Sequence, residues 1–166
     1  NEFGEIGLDH ELIESSEEDL VELSTGCICC VMRGDLQEAI ERLMVRQQTG
    51  KVFDRIILET TGLADPGPIL HSLIYNEYLK PFVRLDRVVI TVDALSGLNS
   101  IANFKECPQQ IALADIILIT KADIDPTNVD DLRRELRRIN PEAFIYKSNF
   151  GMTEADLFSL NSQQIK

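Results

Sequence analysis

No run of this chain is apolar for the ~20 residues that a bilayer-spanning helix needs. Its opening, Asn1-Glu2-Phe3-Gly4-Glu5, has neither the basic region nor the apolar stretch of a signal peptide. Both absences point to a cytoplasmic protein that does not work on a membrane. Basic charge is scarce too, with 16 Lys plus Arg against 28 Asp plus Glu. So acidic a surface repels phosphate backbones and anionic lipid, which argues against general nucleic-acid or membrane-surface binding. Internal repeats and low-complexity tracts are missing, and 166 residues at 44% apolar content suit one globular domain. There is no initiator Met, and the chain opens on what reads as the tail of an element already under way. A segment ahead of Asn1 is therefore expected.

What is present begins with sulfur. Three of the four cysteines fall within Gly26-Cys27-Ile28-Cys29-Cys30, just before an amphipathic stretch. In extended backbone, Cys27 and Cys29 direct their sulfurs to the same side, and Cys30 turns in from an adjacent bend. A packed core has no use for such crowding of small, oxidisable thiols. A soft divalent metal does, because gathered thiolates supply most of a tetrahedral shell. A reducing cytosol would keep them free for that purpose. A redox-active or accidental cluster is the alternative. Cys107, alone beside Pro108, reads as inert.

Four β-branched runs recur along the chain, at residues 52–58, 87–92, 116–119 and 143–146. They are nearly continuous rather than alternating, as in strands buried on both faces of a parallel sheet. Helical patterns lie between them. Leu36, Ile40, Leu43 and Met44 share one face, as do Val129, Leu132, Leu136 and Ile139. Asp125 and Pro126 mark a helix start; Pro66 and Pro68 open a helix toward Tyr78; Pro108 divides the segment from Leu95 to Ala114. The Arg133-Arg134 and Arg137-Arg138 pairs read as a solvated face suited to a helix C-terminus, not as an anion site. Alternating strands and helices predict an α/β fold with a doubly wound, mainly parallel sheet.

In such folds ligands bind beyond the carboxyl ends of the strands. The first run ends in Glu59-Thr60-Thr61-Gly62. P-loop nucleotidases use such an acid to orient magnesium or water, and such a glycine to bring a bare amide to the terminal phosphate. A helix cap and a turn glycine would give the same letters. The third run ends in Thr120-Lys121-Ala122-Asp123, close to the Asn-Lys-x-Asp signature that selects guanine. Asp123 can accept the ring N–H and exocyclic amine of guanine, where adenine presents an acceptor. Lys121 would lay its stem along base and sugar, and Thr120 stands where Asn is usual. Lys147-Ser148-Asn149-Phe150-Gly151 reads as the short loop whose Ser148 backbone contacts the base; Asp93 either caps the next helix, the favoured reading, or touches the nucleotide site.

Taken in order, these motifs resemble the CobW-type metallochaperone GTPases, relatives of the UreG and HypB accessory GTPases. The resemblance rests on Asn1-Glu2-Phe3-Gly4-Glu5, Gly26-Cys27-Ile28-Cys29-Cys30, Glu59-Thr60-Thr61-Gly62 with Ala64-Asp65-Pro66, Val92-Asp93-Ala94 and Thr120-Lys121-Ala122-Asp123. It implies a P-loop NTPase fold over residues 1–160, with 161–166 a tail or linker start. It also implies GTP binding and slow, magnesium-assisted hydrolysis that controls loading of zinc or cobalt for a client metalloprotein. Cys27, Cys29 and Cys30 become metal ligands, with Glu2, or less favoured Glu5, completing the shell; Glu59 is the catalytic acid; Gly62, Thr120, Lys121, Asp123 and Ser148 hold the nucleotide. The family's first strand and Gly-x-x-x-x-Gly-Lys-[Ser/Thr] loop are not found in the chain. The chain by itself is accordingly expected to bind GTP poorly, and the sheet surface left uncovered invites self-association into a homo-oligomer. A metal store with vestigial nucleotide motifs, or a thiol redox protein, are the competing functions.

Overall fold

The structure, a computed structural model, describes residues 31–50, 53–60, 62, 64–124, 126–149, 152–153 and 157. It divides into two compact units, residues 1–86 and 87–166, each with its own core.

In the first unit, α1 (Val31–Gln48) packs on α2 (Gly67–Tyr75). Leu36 and Ile40 lie one turn apart on one helix face and meet Ile69 and Leu79, with Met44, Leu73 and Val83 around them. The predicted stripe of α1 is thus the buried one. Pro68 sits in the first turn of α2, where its missing N–H costs no helical bond. Asn76 ends that helix. Its amide bonds the Ser72 carbonyl, its Nδ2 donates to Gln37 Oε1 at 3.0 Å, and its Oδ1 accepts from the Tyr78 amide at 2.9 Å. The helix therefore stops at Tyr75, short of the expected Tyr78. At the other connection Gly50, with φ of 112°, takes the left-handed position after α1 that favours glycine.

One expected strand does not form. Residues 53–60 take no place in the sheet, and Ile57 is 75% exposed. Arg55 instead forms a partly buried ion pair with Asp86 at 3.0 Å.

The second unit carries the sheet. Strands β1 (Val89–Asp93), β2 (Ile116–Thr120), β3 (Phe144–Asn149) and β4 (Met152–Thr153) lie in sequential order. The first two pairings are parallel and the last is antiparallel. The fold is α/β with a mainly parallel sheet, as the runs predict. Central β2 is buried on both faces, with Ile117 and Ile119 at 0% exposure. Helices α3 (Gly97–Asn103), α4 (Glu106–Ala112) and α5 (Val129–Ile139) supply the crossovers and pack together. Val129, Leu132 and Leu136 of α5 and Ile111 of α4 close over Ile117, Ile119 and Ile145.

Two side-chain details hold these layers in register. A Cβ on Gly97 would lie 2.7 Å from Val92 Cγ1 and 3.2 Å from Leu132 Cδ1, so glycine lets α3 begin hard against β1 and α5. Asn140, buried after α5, donates to the carbonyls of Ile111 at 2.8 Å and Ala114 at 2.9 Å, while its Oδ1 accepts from the amide of Ala143 at 3.1 Å.

Several boundaries move. Helix α5 starts at Val129 after Asn128, so Pro126 precedes it and is not its first residue; Asp125 lies outside the described residues. The helix begins where its apolar stripe begins. The break between α3 and α4 falls at Phe104 and Lys105, and Pro108 sits in the first turn of α4, where no helical bond needs its N–H. Arg134, Arg137 and Arg138 are exposed, as a solvated face should be; Arg137 donates to the Pro141 and Ala143 carbonyls beyond the helix end at 2.9 and 2.6 Å, and Arg138 pairs with Glu135. Among the described residues no helix is long and apolar enough to cross a membrane.

Candidate functional site

The carboxyl ends of the parallel strands form one row. Asp93 is register partner of Thr120, and Thr120 of Ser148. Adjacent strands lie ~4.8 Å apart, so three polar residues end the sheet on a single line. The Ala94 amide donates to the Thr120 carbonyl at 2.9 Å and carries the ladder one step past β1.

Beyond Thr120 the chain turns sharply. Lys121 has φ of 55°, the one non-glycine left-handed residue among those described. Its carbonyl accepts from the Ile124 amide at 3.1 Å, which closes a turn around Ala122 and Asp123. Ala122 is buried and anchors the turn to the core, while Asp123 is exposed at its outside. The Lys121 ammonium donates to Asp93 Oδ2 at 2.5 Å, and Asp93 Oδ1 accepts from the Leu95 amide at 2.7 Å. Partial burial pushes the Asp93 carboxyl up, but Lys121 and the amides of Leu95 and Ser96 outweigh it and hold it below the usual carboxylate range. Asp93 is therefore not the helix cap expected of it, since Ser96 holds the N-cap position of α3. It serves the turn before α3 and the lysine at once. The cue was available in sequence, since an acid ending one parallel strand stands beside whatever ends the next.

Ser148 is placed differently from expectation. It lies within β3, buried and paired with Thr153 of β4, and is no part of a loop. Lys147 and Asn149 also belong to the strand, because β4 folds back and extends the ladder. Thr120 and Ser148 are nonetheless register partners, and Lys121 and Asp123 follow Thr120 in the turn after β2.

Glu59 and Gly62 belong to the first unit and follow the segment that forms no strand. Glu59 is exposed. A Cβ on Gly62 would meet nothing within 4 Å among the described residues, and its φ is not in the left-handed range, so neither packing nor backbone shape calls for glycine there. Asp65 Oδ1 accepts from the Gly67 amide at 2.9 Å and starts the turn into α2. Cys27, Cys29, Cys30 and Glu2 lie outside the described residues. Among the described residues no group of three His, Cys, Asp or Glu is placed to hold a metal. Cys107 is half-buried; burial and then neighbouring Glu106 push its thiol up, the inert state expected of it.

A parallel sheet with a Thr-Lys-x-Asp turn at its carboxyl edge defines the class as a nucleotide-binding α/β domain of P-loop NTPase type. Residues 1–147 match the CobW/HypB/UreG nucleotide-binding domain, and the chain belongs to that family. It is similar to the zinc chaperone YjiA of Escherichia coli, 36% identical over 91% of this chain and 48% of the relative. It is also similar to the zinc-regulated GTPase metalloprotein activator 1 of Schizosaccharomyces pombe, 33% identical over 91% of this chain and 38% of that one. The fold superposes on a zinc-bound triple mutant of the YjiA GTPase with a TM-score of 0.66, at 35% identity over 74% of this chain and 38% of that structure. Zinc-bound YjiA GTPase from E. coli gives 0.60 at 30% identity over 79% and 38%. The chain spans less than half the length of these relatives.

Proposed function

We propose that this domain is the nucleotide-binding part of a GTP-dependent metal chaperone, in which GTP binding and hydrolysis control transfer of zinc or cobalt to a client protein. The observation that carries the reading is the turn at residues 121–123, set at the carboxyl end of β2 with Asp123 exposed and Lys121 held by Asp93. Asp123 takes the two N–H donors of guanine, Lys121 lies along the base and sugar, and Thr120 and Ser148 supply the strand-end contacts. Adenine presents an acceptor to the same carboxylate and is rejected. Names given to the relatives, zinc chaperone and zinc-regulated GTPase, support the pairing of nucleotide with metal.

Glu59 and Gly62 serve the phosphate end in this reading. Glu59 is an exposed hard-oxygen donor of the kind magnesium takes, directly or through water, and bound magnesium offsets phosphate charge. Among the described residues nothing lies within 4 Å of where a Gly62 Cβ would stand, which fits close approach of a γ-phosphate to the backbone there. Cys27, Cys29 and Cys30, with Glu2, hold the cargo metal. Three thiolates and an exchangeable oxygen suit a site that loads and releases.

The test is calorimetry on the full-length protein. Wild type binds GTP and not ATP, and Asp123→Asn loses GTP by at least ~100-fold while gaining xanthosine triphosphate, whose carbonyl faces the new amide donor. Cys29→Ser lowers zinc affinity at least ~10-fold. Equal binding of GTP and ATP, or zinc binding indifferent to Cys29, would sink the corresponding half of the proposal.

A further inference from the structure

The sheet edge holds a second carboxylate that the guanine reading does not use. Asp93 and Lys121 come from adjacent parallel strands, and the register that sets Asp93 opposite Thr120 brings the next residue, Lys121, into its reach. Their ammonium–carboxylate contact of 2.5 Å is charge-assisted, with side chains 24% and 54% exposed for Asp93 and Lys121. Lys121 meanwhile adopts a backbone conformation that L side chains rarely take. A residue stays in such a conformation only when its surroundings over-determine it. Here three restraints do so: the bond from the Ile124 amide to the Lys121 carbonyl, burial of Ala122, and the ion pair to Asp93. Asp93 is itself fixed by the Leu95 amide at 2.7 Å, so the anchor does not swing.

We propose that Asp93 is a positioning residue for the purine site: through Lys121 it holds the Lys-x-Asp turn and the lysine stem ready for the guanine base before nucleotide arrives. The proposal rests on the guanine-site reading above and adds to it the part played by the neighbouring strand. Its low-lying carboxyl pKa agrees with a permanently charged partner. Pre-organisation of this kind acts on binding of the base and sugar, far from bond breaking at the γ-phosphate. It therefore shifts KM and leaves kcat alone.

Asp93→Asn separates this role from the turn before α3, because its remaining oxygen still accepts from the Leu95 amide while the charge on Lys121 is lost. With GDP as probe on the full-length protein, Asp93→Asn weakens binding about 5-fold, as suits a half-exposed ion pair. GTP turnover then shows KM raised by a similar factor and kcat unchanged. In a Lys121→Met background, which keeps an apolar stem, the same Asp93→Asn change has less than about a 1.5-fold effect, since the two residues act as a unit. Unchanged or tighter GDP binding in Asp93→Asn overturns the proposal, as does an undiminished loss in the Lys121→Met background. Thermal melting of each variant at wild-type temperature confirms that the fold persists. Asp123→Ala distinguishes the two readings: if it weakens GDP and Asp93→Asn does not, only the positioning role fails. If Asp123→Ala leaves GDP binding intact, the guanine site and the positioning role fall together.

Discussion

At the residue scale the site depends on a few side chains whose surroundings assign them work. Lys121 is legible from the Thr120-Lys121-Ala122-Asp123 letters alone, but its left-handed backbone and its pairing with Asp93 are not, because both depend on which strand lies next to which. Asp93 also makes an acid-range prediction. Its folded pKa is depressed, so the stability it lends is present above the unfolded value near 3.8 and is lost as pH falls through the lower folded value. The Leu95 and Lys121 resonances in an NMR titration will hold steady down to about pH 4 and shift together below it. Shifts centred near pH 6 would contradict the assignment. Gly62 gives the complementary case. Gly62→Ala leaves melting temperature unchanged, because no described atom occupies the space its methyl enters, yet lowers GTP hydrolysis if the backbone there meets the phosphate.

At the element scale, hydrophobic pattern alone specifies β1, β2 and β3 and the buried faces of α1 and α5. In β2 and α5 the pattern matches a burial that the core enforces, with Ile117, Ile119, Leu132 and Leu136 fully inside, whereas β1 forms although none of its residues is fully buried. Pattern fails where a neighbour is needed. Residues 53–58 have a strand's composition yet form no strand, and Ser148 reads as loop because the return of β4 onto β3 is not written in local sequence. Proline and cap signals place helix starts only approximately; the packing of Val129 determines where α5 begins. Two substitutions test this layer. Asn140→Ala leaves the Ile111 and Ala114 carbonyls and the Ala143 amide without their buried partner, and will cost about 2–3 kcal/mol in denaturant unfolding. Gly97→Ala forces a methyl into Val92 and Leu132 and will cost about 1–3 kcal/mol by the same measurement. Losses under about 0.5 kcal/mol at either site would show that α3 and α5 are seated by something else.

At the scale of the whole molecule, the family is readable from the spacing of motifs over nearly the full chain, and the match over residues 1–147 agrees with it. The metal half of the proposed function rests on Glu2, Cys27, Cys29 and Cys30, whose chemistry is legible in sequence while their placement lies outside the described residues. A chaperone differs from a store in one thermodynamic respect: nucleotide state must change metal affinity, and metal must change nucleotide affinity by the same factor. The most direct measurement is therefore the zinc dissociation constant of the full-length protein, by competition with a chromogenic chelator, with GDP bound and with a non-hydrolysable GTP analogue bound. The account predicts constants that differ by about 10-fold or more, with Cys29→Ser abolishing the difference. The same zinc affinity in both nucleotide states would contradict it.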